Sequence, residues 1–269
     1  MRVNVITRSE TQLELEWTKV NNNRNYNYIL RDSNGAKTSI TGSDAGTTMK
    51  HTVSPLCAGI KYSFTLFTVF EGVSSTGYKF SVVTKINCAA SRWNVSNSTI
   101  EAEVLGLFSM ATAHNGSDGD VTGTVRRNKV SFSNLYPGAT YNVSLYYQLD
   151  EEQLLQCSHS VTLVPATVTS LSCESRNHSV FLKWEEPFGL WTEAEVNVMG
   201  IGSHLVRRTD VKIAGLEPSR TYNISVTSLS GAVRGPNQWT SCQTTSSMVV
   251  LVPEVVIMLL GLLTSMGYV

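Results

Sequence analysis

The residues of this 269-residue chain that could do chemistry are five cysteines, five histidines and six Asn-x-Ser/Thr triplets. The cysteines are Cys57, Cys88, Cys157, Cys173 and Cys242, and the intervals 88–157 and 173–242 are both 69 residues. No CxxC pair or histidine cluster accompanies them, so the spacing does not describe a metal site. A phosphate-binding loop built on a nucleophilic cysteine needs an arginine six residues later. After Cys57-Ala58-Gly59-Ile60-Lys61 that position is Ser63, so Cys57 reads as a lone loop thiol. His51, His114, His159, His178 and His204 are scattered, and HExxH, GxSxG and glycine-rich phosphate loops are absent. No catalytic residue, metal, cofactor or small-molecule substrate is expected. Asn94, Asn97, Asn115, Asn142, Asn177 and Asn223 head the triplets and are candidate N-glycosylation sites.

The elements that carry these residues read as strands. Val, Thr, Ser and Tyr are abundant, and turn residues recur roughly every 8–12 positions. Helical periodicity is absent before the C-terminal tail. One frame occurs three times: Leu56…Tyr62, Leu135-Tyr136-Pro137-Gly138-Ala139-Thr140-Tyr141 and Leu216-Glu217-Pro218-Ser219-Arg220-Thr221-Tyr222, with the tyrosines 79 and 81 residues apart. Eleven residues before each Tyr an alternating strand begins, at His51, Val130 and Val211, and a second alternating strand follows each Tyr. Strand, corner and strand at this period predict an all-β chain of repeated sandwiches. The Tyr ring can enter the core while its hydroxyl bonds backbone at the corner, which Phe cannot do. His51 stands where the other two copies have Val, which predicts a partly buried core histidine.

The corner resembles the E–F corner of the fibronectin type III domain, and the resemblance extends over three tandem copies: residues 1–86, 87–164 and 166–245. It implies a Trp closing the second strand as the floor of each core. Trp17, after Leu13-Glu14-Leu15-Glu16, and Trp184, after Val180-Phe181-Leu182-Lys183, fit that place, whereas the second copy has Val104. Trp17, Tyr62, Tyr141, Trp184 and Tyr222 are therefore the expected core markers. An immunoglobulin domain would carry a Cys on the second strand and its partner near the later Tyr; neither is present. The run Ala113–Gly123 is expected to be a flexible loop. Pro165 marks a linker short enough to leave adjacent sandwiches end to end in an extended rod. On this fold, the first cysteine of each equally spaced pair falls on the first strand of its copy and the second on the last. The expected bridges are Cys88–Cys157 and Cys173–Cys242; the rival Cys157–Cys173, clipping the linker, stays open. Asn142 and Asn223 each follow a corner Tyr, so alternation turns them outward.

Lys+Arg and Asp+Glu are both 21, and this zero net charge gives no pull toward nucleic acid. Val3-Asn4-Val5 already alternates as a strand with no apolar leader before it, although the cysteine pattern is extracellular; a fragment, or a gene model missing its upstream exons, is the expected reading. From Met248 to Val269 the chain is apolar, long enough as a helix to cross a bilayer core of about 30 Å. Pro253 and Glu254 interrupt it, and no basic residue follows Arg234. With Thr244-Thr245-Ser246-Ser247 before it, the tail (246–269) looks like a GPI-attachment signal, with a short transmembrane anchor as the alternative. The segments Lys19-Val20-Asn21-Asn22-Asn23 and Phe67–Val73 resemble the ectodomain repeats of fish receptor-type tyrosine phosphatases. That resemblance implies a membrane-tethered, non-catalytic extracellular module that recognises cell-surface or extracellular proteins. The alternative it implies is a passive stalk or decoy without a phosphatase domain.

Overall fold

The computed structural model describes residues 2–20, 26–42, 46–116 and 119–246. Asn21, Asn22 and Asn23 of the segment after Trp17, and the expected anchor from Ser247 onward, lie outside them. The described residues form 23 strands and one short 3-10 turn, arranged as six sheets that pack in pairs around three separate cores.

In the first pair, β1 (Val3–Arg8), β2 (Leu13–Thr18) and β5 (Thr48–Val53) make an antiparallel sheet in the order β1-β2-β5. It faces β3 (Asn27–Asp32), β4 (Lys37–Ile40), β6 (Lys61–Phe70), β7 (Val73–Ser74) and β8 (Tyr78–Val83), of which both β7 and β8 pair with β6. Alternation decides the faces: Leu13, Leu15 and Trp17 are buried, while Glu14 and Glu16 between them are not. Trp17 meets Tyr28 edge-on at 5.2 Å between ring centroids, tying the two sheets together. The β3–β4 hairpin turns at Asn34-Gly35, where Gly35 has φ +87° and the Asp32 carboxylate accepts from the Asn34 and Ala36 N–H groups. The sixth strand ends at Phe70, because Glu71-Gly72 turns the chain into β7.

In the second pair, β9 (Arg92–Val95), β10 (Ile100–Glu103), β13 (Thr124–Arg126) and β14 (Lys129–Phe132) order as β13-β14-β10-β9. They face β11 (Met110–His114), β12 (Asp120–Thr122), β15 (Thr140–Leu149) and β16 (Glu152–Thr162), ordered β12-β11-β15-β16. Val104 lies just past β10, is fully buried, and donates its N–H to Asn128 as Trp184 donates to Thr209 in the third pair. The run Ala113–Gly123 is not one loop: Ala113 and His114 end β11, and Asp120–Thr122 return along it as β12, register Ala113 to Val121. The ladder overrides the turn-rich composition there. Cys88 is likewise not on a first strand. It sits in the 3-10 turn Cys88–Ala90, capped by the Asn87 side chain, ahead of β9.

The third pair sets β17 (Thr169–Ser175), β18 (Ser179–Glu185) and β21 (Asp210–Ala214), ordered β17-β18-β21, against a four-stranded sheet. That sheet is β19 (Glu193–Val198), β20 (Gly202–Val206), β22 (Thr221–Ser230) and β23 (Val233–Gln243), ordered β20-β19-β22-β23. Trp184 is buried among Val180, Leu182, Val196 and Ile224 in its core.

Candidate functional site

Each corner is built the same way. The Tyr62 hydroxyl accepts from Cys57 N–H at 2.8 Å, Tyr141 from Tyr136 at 3.0 Å and Tyr222 from Glu217 at 2.9 Å. Tyr141 and Tyr222 are buried; Tyr62 is half-buried, stacked on Phe64. The Leu of each frame donates its N–H across to the preceding hairpin: Leu56 to Thr11, Leu135 to Ser98 and Leu216 to His178. A threonine whose corner role the sequence reading missed, Thr244 having been read as part of the polar run before the tail, closes the turn from the last strand. Thr84 and Thr244 are buried, accept from Ile60 and Arg220 N–H, and donate to the Cys57 and Glu217 carbonyls. The signal was present: Thr84, Leu163 and Thr244 each lie 22 residues after a corner Tyr.

The corner also forms the joint to the next sandwich. The Leu107 N–H donates to Gly59 across the first joint at 2.9 Å, and the Leu190 N–H to Pro137 across the second at 2.8 Å. Both loops that dock follow the second strand of the next sandwich, so one joint is used twice. Glycine is needed because backbones meet there. A Cβ on Gly59 (φ +66°) would stand 2.6 Å from Gly106 Cα, and one on Gly138 (φ +69°) would overlap the Leu190 carbonyl. The third corner makes the same left-handed turn with Ser219 (φ +56°).

Side chains reinforce both joints. Arg8 donates to the Val83 carbonyl of the first sandwich at 2.7 Å and the Leu155 carbonyl of the second at 2.8 Å. Burial lowers its pKa from the ordinary arginine value, with Glu152 acting in the opposite direction. At the second joint Ser230 Oγ donates to Gly138 O at 2.7 Å, and Tyr136 meets Phe188 edge-on at 5.1 Å.

The structure brings Cys88 to Cys157 with Cα atoms 5.8 Å apart, and Cys173 to Cys242 at 6.1 Å, both as disulfides. Cys57 is free and exposed. Asn94, Asn97, Asn142, Asn177 and Asn223 are exposed and Asn115 is half-buried. The Asn177 amide oxygen accepts from Thr245. The histidines stay apart: His159 stacks on Trp93, His114 pairs with Asp120, and His178 meets Leu216 O. His51 is half-buried on β5, and burial lowers its pKa from 6.5. Among the described residues no group of three or more His, Cys, Asp or Glu could hold a metal ion.

The outer faces of two sheets carry further groups of exposed side chains. Across β9, β10, β14 and β13 the register sets Arg92, Glu103, Lys129 and Arg126 in one row. This charged row crosses a shallow depression of about 660 Å³ that Asn94 also lines. The third sandwich exposes Met199, Leu205 and Trp239 on the opposite kind of sheet.

No protein-family model matches the chain. It is 26% identical over 258 residues to mouse (Mus musculus) receptor-type tyrosine-protein phosphatase eta, a match covering 85% of this chain and 20% of that protein. The chicken (Gallus gallus) protein of the same name is 24% identical over 253 residues, 82% of this chain and 17% of that one. The chain thus spans about a fifth of the length of the curated relatives it matches. Among solved structures it is similar to the FN1–FN3 domains of chicken CNTN1, at 14% identity and TM-score 0.31, covering 91% of this chain and 98% of that one. A two-domain fibronectin type III segment of chicken tenascin gives 14% identity and TM-score 0.29, covering 90% and 98%. With its paired antiparallel sheets and its repeated tyrosine corner, the chain is, over its described residues, an array of three tandem all-β sandwiches.

Proposed function

We propose that the chain is an extracellular recognition module, akin to part of a receptor-type tyrosine phosphatase ectodomain, that presents its sheet faces to cell-surface or extracellular proteins. The module is non-catalytic. The observation that carries the reading is the joint used twice: backbone-to-backbone contact through Gly59 and Gly138 fixes the order and facing of three sandwiches, as display of a surface requires. The proposed domains are residues 1–86, 87–164 and 166–245, with 246–269 as a membrane anchor. The paired cysteines and exposed acceptor asparagines support secretion, since disulfides persist in oxidising compartments. The relatives carry the phosphatase name but extend far beyond this match, so signalling would fall to parts outside it.

Labelled protein without residues 247–269 tests the reading on cells. Saturable binding that excess unlabelled protein displaces supports recognition. Binding that never saturates, or none across a panel of cell types, would leave a passive stalk or decoy.

A further inference from the structure

On the outer face of the third sandwich, Asn223 of β22 is in register with Ser241 of β23, and Ser225 with Trp239. Trp239 is therefore the diagonal cross-strand neighbour of Asn223, a distance of about 7–8 Å that a large side chain bridges. Trp239 is 51% exposed and Met199, at the β19–β20 turn, is 56% exposed. Together with Asn223, Thr240 and Ser241 they line a shallow depression of about 390 Å³. A half-exposed Trp and Met standing beside an acceptor asparagine form an apolar wall at the foot of whatever that asparagine carries. The described residues of the second sandwich differ at the matching strand position. Asn142 is in register with Ser160, and the place of Trp239 is taken by Ser158, bonded to Ser144 at 2.9 Å.

We propose that Asn223 is N-glycosylated and that the depression between Trp239 and Met199 seats the first N-acetylglucosamine of that glycan. The proposal rests on the extracellular reading above. The chemistry is that of a pyranose ring with one C–H-rich face, which lies against the electron-rich face of an indole while its hydroxyl edges stay in water. The amide link to Asn223 supplies the sugar at high effective concentration, so a weak face contact is enough to hold it. The exposed Trp is then covered by sugar instead of standing as a sticky patch.

The test uses the full chain, expressed behind a secretory signal in animal cells that make only high-mannose glycans. Glycopeptide mapping reads occupancy at each acceptor. Hydroxyl-radical footprinting with mass spectrometry then reads the reaction rate of Trp239 in three forms: intact, trimmed to one N-acetylglucosamine, and fully deglycosylated by amidase. Intact and single-sugar forms should react alike, about threefold more slowly than the sugar-free form, the size of one aromatic-face contact. Trp191, beside Leu229 at the far end of the same sheet from Asn223, should not change with trimming. Equal Trp239 rates in all three forms would overturn the seat and leave the patch to a protein partner. A secreted chain glycosylated at Asn142 but empty at Asn223 would overturn it while sparing the extracellular reading. A chain that carries no glycan at any acceptor would take both down.

Discussion

At the scale of single residues, the corner tyrosine and the core tryptophan make different contributions. Tyr141→Phe keeps the buried ring and leaves the Tyr136 N–H without its acceptor, so it should cost about 1–3 kcal/mol. Trp184→Ala removes a side chain that is 2% exposed and should cost about 3–5 kcal/mol by cavity formation. Chemical denaturation of each variant measures both, and a harmless Trp184→Ala would contradict the inward face assigned to β18. His51 gives a pH signature. Burial holds its pKa below the ordinary value, so the unfolded chain takes up the proton first as pH falls. The first sandwich should be at full stability above the unfolded value of about 6.5 and lose that contribution as pH falls through the lower folded value. His51→Val, the residue type of Val130 and Val211, should flatten that dependence. A melting temperature of the native chain unchanged from pH 7.5 to 5.5 would contradict the assignment.

At the scale of elements, the strands were legible because burial on one face leaves a period of two, as Leu13, Leu15 and Trp17 show. The corners were legible because Leu and Tyr recur six residues apart, the Tyr hydroxyl meeting a backbone N–H five residues before it. The joints were not. A backbone contact between Gly138 and Leu190 leaves no side-chain pattern, and glycine in a Pro-Gly turn already has a local explanation. Nor was the β12 return strand, whose pairing partner decides it more than its own composition. The bulge after Leu145 was also hidden: it places Gln156 out of parity with Cys157, fully buried, with its carbonyl accepting from Ile86 at the first joint. The third corner suggests the experiment on joints. Gly138→Ser copies Ser219, keeps the left-handed turn within the second sandwich, and adds a Cβ that the Leu190 carbonyl cannot accommodate. It should loosen the second joint, seen as faster limited proteolysis between residues 164 and 168 and a broader small-angle scattering distribution. The first joint should be unaffected. An unchanged scattering profile would mean that the glycine does not set the joint.

At the scale of the whole molecule, three sandwiches, two like joints and two cystines combine with an apolar end. The proposed GPI attachment at Ser246 or Ser247 predicts release of surface-expressed chain by phosphatidylinositol-specific phospholipase; retention with a C-terminal tag still attached would favour the transmembrane alternative. The cystines bear on stability and compartment together. Each closes 69 residues, which the loop-closure view values at about 4 kcal/mol before strain, a large share of one small domain's stability. Reduction should therefore lower the melting of the second and third sandwiches and spare the first, where neither cystine lies. The most direct test of an extracellular tandem module is non-reducing peptide mapping of the secreted chain. Cys88 should be linked to Cys157 and Cys173 to Cys242, with Cys57 outside both. A Cys157–Cys173 peptide, or all four thiols reduced in secreted protein, would contradict the module.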